Sequence, residues 1–199
     1  MRILAAADIH GDTELVKRLA EKALVENVDL VVLAGDLFHN DMNTKNIIGP
    51  FVEKNKRVVL LPGNHESVAT ADFVAKQYNA VNLHGYSVKD DDIGLFGCSA
   101  VNFGHNLSEE DIEDMLQKSH EYIKDAKKRI MVTHVHPTNS IMEGFTSFVH
   151  GSPAVEKMIR KLKPDIFICG HVHEASGIEE KIGDTRVINV SRVGKILDL

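Results

Sequence analysis

Ile3-Leu4-Ala5-Ala6-Ala7 is a short apolar run that ends in Asp8-Ile9-His10, two metal-capable side chains around one apolar residue. Other runs end in the same manner. They are Leu30 to Ala34 before Gly35-Asp36, Val58 to Leu61 before Pro62-Gly63-Asn64-His65-Glu66, Ile130 to Thr133 before His134-Val135-His136, and Ile166 to Cys169 before Gly170-His171-Val172-His173. Short runs rich in Val, Ile and Leu, bounded by Gly or Pro and alternating with helical stretches, read as buried strands of an α/β sheet. Ligands of such sheets sit at the carboxyl ends of the strands. The Asp, His and Asn side chains are therefore expected to converge on one sheet edge as a single site.

Between the strands, Leu15, Val16, Leu19, Ala23 and Leu24 recur at helical spacing behind a cap at Asp12 or Thr13. A second helix is expected over about 43 to 54, weakened by Gly49-Pro50, and a third runs from a Ser67 cap to about Tyr78. This βαβαβ opening implies parallel strands with right-handed crossovers. After Ala80 the pattern changes: Val81 to Leu83, Tyr86 to Lys89 and Ile93 to Phe96 read as hairpin strands around Asp90-Asp91-Asp92. Ser108 and Asp111 form a capping box for a helix to about Lys127, and Ser152-Pro153 opens another. Ile178 to Ile182 and Arg186 to Val190 pair across Gly183-Asp184. Parallel units first and hairpins later predict an α/β fold of two packed mixed β-sheets, a sandwich flanked by helices, in one domain over residues 1 to 199.

The chain has 199 residues, 43% of them apolar and 26% charged, as in an ordinary soluble globule. No apolar stretch is long enough to cross a bilayer, and Met1-Arg2 leads straight into a strand, so no membrane partner and a cytoplasmic location are expected. Cys98 and Cys169 are too few for a disulfide framework, and Cys169 reads as a small core residue. The net charge of −6 gives no strong nucleic-acid signature. Lys127-Lys128-Arg129 and Lys157 to Lys163 read as solvated helix ends. Apolar side chains from Tyr86 to Phe96 leave a homodimer open.

Asp8, His10, Asp36, Asn64, His134, His171 and His173 are more donors than one tetrahedral zinc needs, and they suit two divalent ions that share a carboxylate. Mixed imidazole and carboxylate donors point away from a Mg²⁺-only site; Mn²⁺ is the leading expectation, with Fe, Zn²⁺ or Ni²⁺ as alternatives. Two such ions about 3.5 to 4 Å apart generate hydroxide near neutral pH and neutralise phosphoryl oxygens during in-line attack. Water is thus the expected nucleophile; no G-x-S-x-G or P-loop pattern occurs. His65 is not needed in either coordination sphere, which leaves it free to protonate a departing oxygen or to hold a phosphoryl oxygen.

Taken together, these residues resemble the calcineurin-like metallophosphoesterase superfamily, whose pattern D-x-H, G-D, G-N-H-[ED], H, G-H-x-H stands here as Asp8-Ile9-His10, Gly35-Asp36, Gly63-Asn64-His65-Glu66, His134 and Gly170-His171-Val172-His173. The chain also resembles the compact prokaryotic and archaeal phosphoesterases. The resemblance implies one ion on Asp8, His10, Asp36 and His173 and a second on Asp36, Asn64, His134 and His171. Asp36 would then bridge. The implied activity is hydrolysis of a small phosphoester by a metal-bridging hydroxide, with His65 as the catalytic acid. The phosphoprotein phosphatases of the superfamily carry G-D-x-x-D-R-G, with an Asp that orients the catalytic His and an Arg that clamps phosphate. Here the stretch reads Gly35-Asp36-Leu37-Phe38-His39-Asn40-Asp41, so both are missing at those positions. A monoester dianion profits most from a bidentate Arg, and its absence tilts the expectation to phosphodiesters. The rival readings are a scaffold of the same fold that has lost the chemistry, and a nuclease.

Any lone Asp or His at a strand end is more often a turn or cap residue than a ligand; only the ordered set argues otherwise. His39, His136 and His150 match no ligand position and stand between substrate or ligand support and plain loop histidines. His84, His105 and His120 read as surface residues, Phe103 and Phe145 as loop anchors or base-stacking groups, and Glu66 as a helix cap.

Overall fold

The computed structural model describes residues 1–39, 41, 44–102 and 107–199. Strands β1 (Arg2–Ala6), β2 (Leu30–Ala34), β3 (Arg57–Leu61) and β4 (Val81–Asn82) pair in parallel with one another, and β11 (Lys195–Asp198) closes the other side of β1 antiparallel. Helices α1 (Thr13–Val25), α2 (Gly49–Glu53) and α3 (Val68–Gln77) make the crossovers. A second sheet has the order β5-β6-β7-β8-β10-β9, built from Ser87–Asp90, Ile93–Cys98, Lys128–Thr133, Ile166–Cys169, Thr185–Asn189 and Glu179–Ile182 respectively. Its four central strands are parallel, with antiparallel hairpin strands at both edges. The expected pair of mixed sheets flanked by helices is the architecture found.

Each sheet has both faces covered, which is why its strands read as unbroken apolar runs. Successive side chains alternate between faces. Ile3, Ala5 and Ala7 turn toward the layer between the sheets, where they meet Ile130, Val132, Ile168 and Ile188. Leu4 and Ala6 turn outward onto Leu15, Val16 and Leu19 of α1. Behind the second sheet, Phe96, Met131 and Phe167 pack on α4 (Glu109–Glu121) and α5 (Pro153–Leu162) through Leu116, Val155 and Ile159. Asp12, Ser67, Ser108 and Ser152 cap their helices as expected, and Ser108 with Asp111 forms the full capping box.

Several local expectations are corrected. Val81–Asn82 is a crossover strand, parallel to β3, so of these three runs the second and third, β5 and β6, form the hairpin. The buried Leu83 joins the layer between the sheets, so packing against it decides the pairing where local turn chemistry is silent. The second helix begins at Gly49, with Pro50 in its first turn where a missing N–H does no harm; position 43, where that helix was expected to begin, lies outside the described residues. Helix α4 stops at Glu121 because Ile123 and Ala126 are buried in successive turns that feed Lys128 into register with Ile93. Strand β11 has no signal in the hydrophobic pattern. It offers only Ile196 and Leu197 as apolar residues, enough for an edge strand with one buried face. His120 is buried against Phe96 and is not a surface residue. Phe96 is buried as well, so Tyr86 is the exposed apolar side chain at this edge, and the Tyr86 to Phe96 stretch is not an exposed apolar face. Both cysteines are buried and free. The basic clusters are ion-paired, Lys127 with Asp92 and Lys157 with Glu113. Among the described residues no helix is long and apolar enough to cross a membrane.

Candidate metal centre

The loops after β1, β2, β3, β7 and β8 bring Asp8, His10, Asp36, His65, His134, His171 and His173 together at one end of the two sheets, in three overlapping groups of close donor atoms: Asp8, His10 and His173; His10, Asp36 and His65; Asp36, His134 and His171. Left-handed backbone at Asp8, His10, Asp36 and His171 (φ 57°, 48°, 53° and 73°) turns these side chains off the strand axes. Such strain persists only where the surroundings hold it. Here a backbone lattice does so, Asp8 N–H donating to Gly35 O and His10 N–H to Asp36 O.

The donor chemistry suits cations. His134 Nδ1 lies 3.0 Å from Ala34 O, so it carries the ring proton, and Nε2 then faces Asn64 Oδ1 at 3.0 Å and Asp36 Oδ1 at 3.4 Å. In a neutral ring that is a lone pair turned toward two oxygens, an arrangement that needs a cation or a second proton. Likewise His10 Nε2 and His173 Nε2 face each other at 3.2 Å, with Asp8 Oδ1 3.2 Å from the latter. Asp36 lies between the two halves, Oδ2 being 3.7 Å from His10 Nε2.

The amino-acid sequence over residues 1–175 matches the model of the calcineurin-like phosphoesterases. The chain belongs to that family. No curated protein matches it as a relative. Among solved structures, TT1561 of Thermus thermophilus superposes with a TM-score of 0.76 at 18% identity, over 94% of this chain and 88% of that one. A dimetal phosphatase from Danio rerio gives 0.65 at 11%, over 95% and 86%. An archaeal phosphodiesterase gives 0.55 at 20%, over 95% and 82%. At such identities the likeness is one of fold.

The family pattern does not reveal how its loops are bolted together. Glu66, read from sequence as a helix cap, is buried, and its carboxylate accepts from Gly63 N at 2.8 Å, Leu37 N at 3.0 Å and Phe38 N at 3.2 Å. It ties the loop that carries Asp36 to the loop that carries Asn64. Burial pushes this carboxyl up to about 7 against the Gly63 N–H, and the Asp36 charge adds to the rise. Gly63 lies against Asp36 so closely that a Cβ there would overlap its carboxylate and its N–H. Gly35 (φ +89°) would set a Cβ 2.5 Å from His134 Nδ1. Two further residues escaped the sequence reading. Ser191 Oγ donates to Asp8 Oδ2 at 2.6 Å, and Arg192 reaches Asp12 Oδ2 at 3.1 Å and Asp8 O at 3.4 Å. Both follow β10, whose polar carboxyl end was the available signal.

Burial opposes the charged form of every group here, and charge pairing decides which of them keep it. Asp36 is held well below the usual carboxylate range because the His134 charge and hydrogen bond, with the His65 N–H, outweigh its burial. The same pairing, against burial, lifts His134 to about 9. Burial pushes His171 down to about 3, leaving a neutral ring with a lone pair. In metal-stripped protein the His134 contribution to stability is fully present below about pH 6.5, its unfolded value, and is lost as pH rises through about 9. The melting temperature of that protein is expected to fall by several degrees between pH 7 and pH 9.5, followed by calorimetry; no fall would mean that His134 carries no extra proton.

His39 is exposed and its ring stacks over His65 at 6.2 Å. His136 is buried, its ring 6.5 Å from that of His171, and neither of its nitrogens has a hydrogen-bond partner among the described residues. His150 is exposed at a neighbouring cavity. Phe145 is exposed, not a buried anchor, while Phe103 and His105 lie outside the described residues.

Proposed function

We propose that the chain is a dinuclear, metal-dependent phosphoesterase that prefers phosphodiesters and works with Mn²⁺. The reading rests on Asp36, whose Oδ1 lies 3.4 Å from His134 Nε2 while its Oδ2 lies 3.7 Å from His10 Nε2, so that one carboxylate faces both donor halves. Asp8, His10, Asp36 and His173 would hold one ion, and Asp36, Asn64, His134 and His171 the other. Bound there, two divalent ions supply charge stabilisation for phosphoryl oxygens and an activated water. The proposal takes residues 1 to 199 as one domain acting in the cytoplasm.

His65 delivers the proton to the leaving oxygen. Its Nε2 is 3.9 Å from Asp36 Oδ2, its side chain is 35% exposed, and Nδ1 has no partner among the described residues. Asp41, near the position where a phosphatase-type Asp would orient this ring, instead accepts from Ser67 N at 2.7 Å. Arg192 donates to the Asp8 backbone oxygen and to Asp12, so its guanidinium is committed within the protein, which supports the diester preference.

The test is hydrolysis of a chromogenic phosphodiester and the matching monoester by metal-stripped protein with and without Mn²⁺. Metal-dependent turnover that favours the diester is expected; no turnover despite bound metal would overturn the reading. His65→Ala is expected to lower kcat about 10²-fold or more and to keep both ions by elemental analysis. Loss of one ion would make His65 a ligand, as its proximity to His10 and Asp36 allows.

A further inference from the structure

A cavity of about 770 Å³ shares Asn64 and His171 with the candidate metal centre and is bounded by Ala100, Val101 and Asn102 after β6 and by the segment before α5. Its size is that of sites that enclose a drug-sized organic group. Ala100, Val101, Val135, Val149 and Pro153 give it apolar walls, and Phe148, 92% exposed, stands at its lining. Among the described residues, no lysine or arginine lines it.

Its two carboxylates are committed to the protein. Glu109 Oε2 accepts from Ser152 Oγ at 2.6 Å and Ala154 N at 2.7 Å, and Glu143 accepts from Asn139 N at 2.7 Å and Gly151 N at 2.9 Å. They hold the cavity wall and make it electronegative. A second phosphate or a carboxylate placed in the cavity away from Asn64 and His171 would meet the two like charges of Glu109 and Glu143, with His150 but no lysine or arginine beside them among the described residues. An uncharged apolar group gains from the same transfer, because the walls offer it contact and exclude water.

We infer that this cavity receives the organic part of the substrate, and that the substrate is a phosphoester of an uncharged, apolar alcohol with a single phosphoryl group. The identity of the reaction rests on the proposed phosphoesterase reading; the choice of group rests on the cavity alone.

Calorimetric titration of the Mn²⁺-loaded chain with methylphosphonate, phenylphosphonate and 4-carboxyphenylphosphonate separates the two. Phenylphosphonate is expected to bind about 10-fold more tightly than methylphosphonate, and the added carboxylate to cancel that advantage. Val101→Asp, which puts a charge on the wall, should reduce the phenyl-to-methyl ratio to near one. Phe148→Ala, at an exposed position that the fold tolerates, should reduce it about threefold. Equal affinity for the phenyl and methyl compounds, or tighter binding of the carboxylated one, would overturn the inference. Turnover of phenyl and methyl 4-nitrophenyl phosphates is read in parallel. Absence of turnover with the phenyl preference intact would remove the proposed reaction and leave the cavity's ligand class standing.

Discussion

Asp36→Asn is expected to lower kcat/KM on a chromogenic phosphodiester by about 10³-fold or more, the equivalent of losing several kcal/mol of charge stabilisation in the transition state. The substitution keeps the shape of the side chain and an oxygen for the His65 N–H, which donates to Asp36 Oδ1 at 3.0 Å. What it removes is the charge that both halves of the site share. The carboxylate is buried and held ionised chiefly by His134. Elemental analysis of the variant should show fewer than two ions per chain, and its circular dichroism should be that of the parent. Activity within about threefold of the parent, with both ions retained, would end the bridging role and the mechanism built on it.

Glu66→Ala is expected to destabilise the protein by about 3 kcal/mol, read as a fall in melting temperature of about 6 to 12 °C for a chain of this size. Three backbone N–H groups, those of Leu37, Phe38 and Gly63, lose their acceptor in a buried setting. Each orphaned donor costs about 1 to 3 kcal/mol, offset in part because a buried carboxylate is no longer desolvated. Glu66→Gln keeps an acceptor oxygen and should fall by about half as much. Since the same side chain joins the Asp36 and Asn64 loops, metal affinity should drop together with stability. A shift of less than about 2 °C in Glu66→Ala would assign those N–H groups other partners.

The convergence of Asp8, His10, Asp36, His134, His171 and His173 was legible in the sequence because each follows a strand, and strand ends in a parallel sheet meet at one edge by topology alone. Glu66 was not legible in the same way. An acid just before a helix is an ordinary cap, and only the fold brings residues 37 and 38 under its carboxylate. Arg192 and Ser191 lie at a strand end too, but without a metal-capable partner nearby they gave no pattern. Strand β4 was misjudged because two residues carry no periodicity, and its parallel partner is more than twenty positions upstream.

By itself, then, the amino-acid sequence determined the sandwich of mixed sheets, the family, and the residues that meet at the strand ends, since apolar runs and helical spacing are local and repeat along the chain. The tertiary structure alone decided which oxygen of Asp36 faces which histidine, which N–H groups Glu66 holds, and which walls lie beside the candidate metal centre. These depend on approach between loops distant in sequence, where the sense of a contact is set by packing and burial and leaves no periodic trace in the chain.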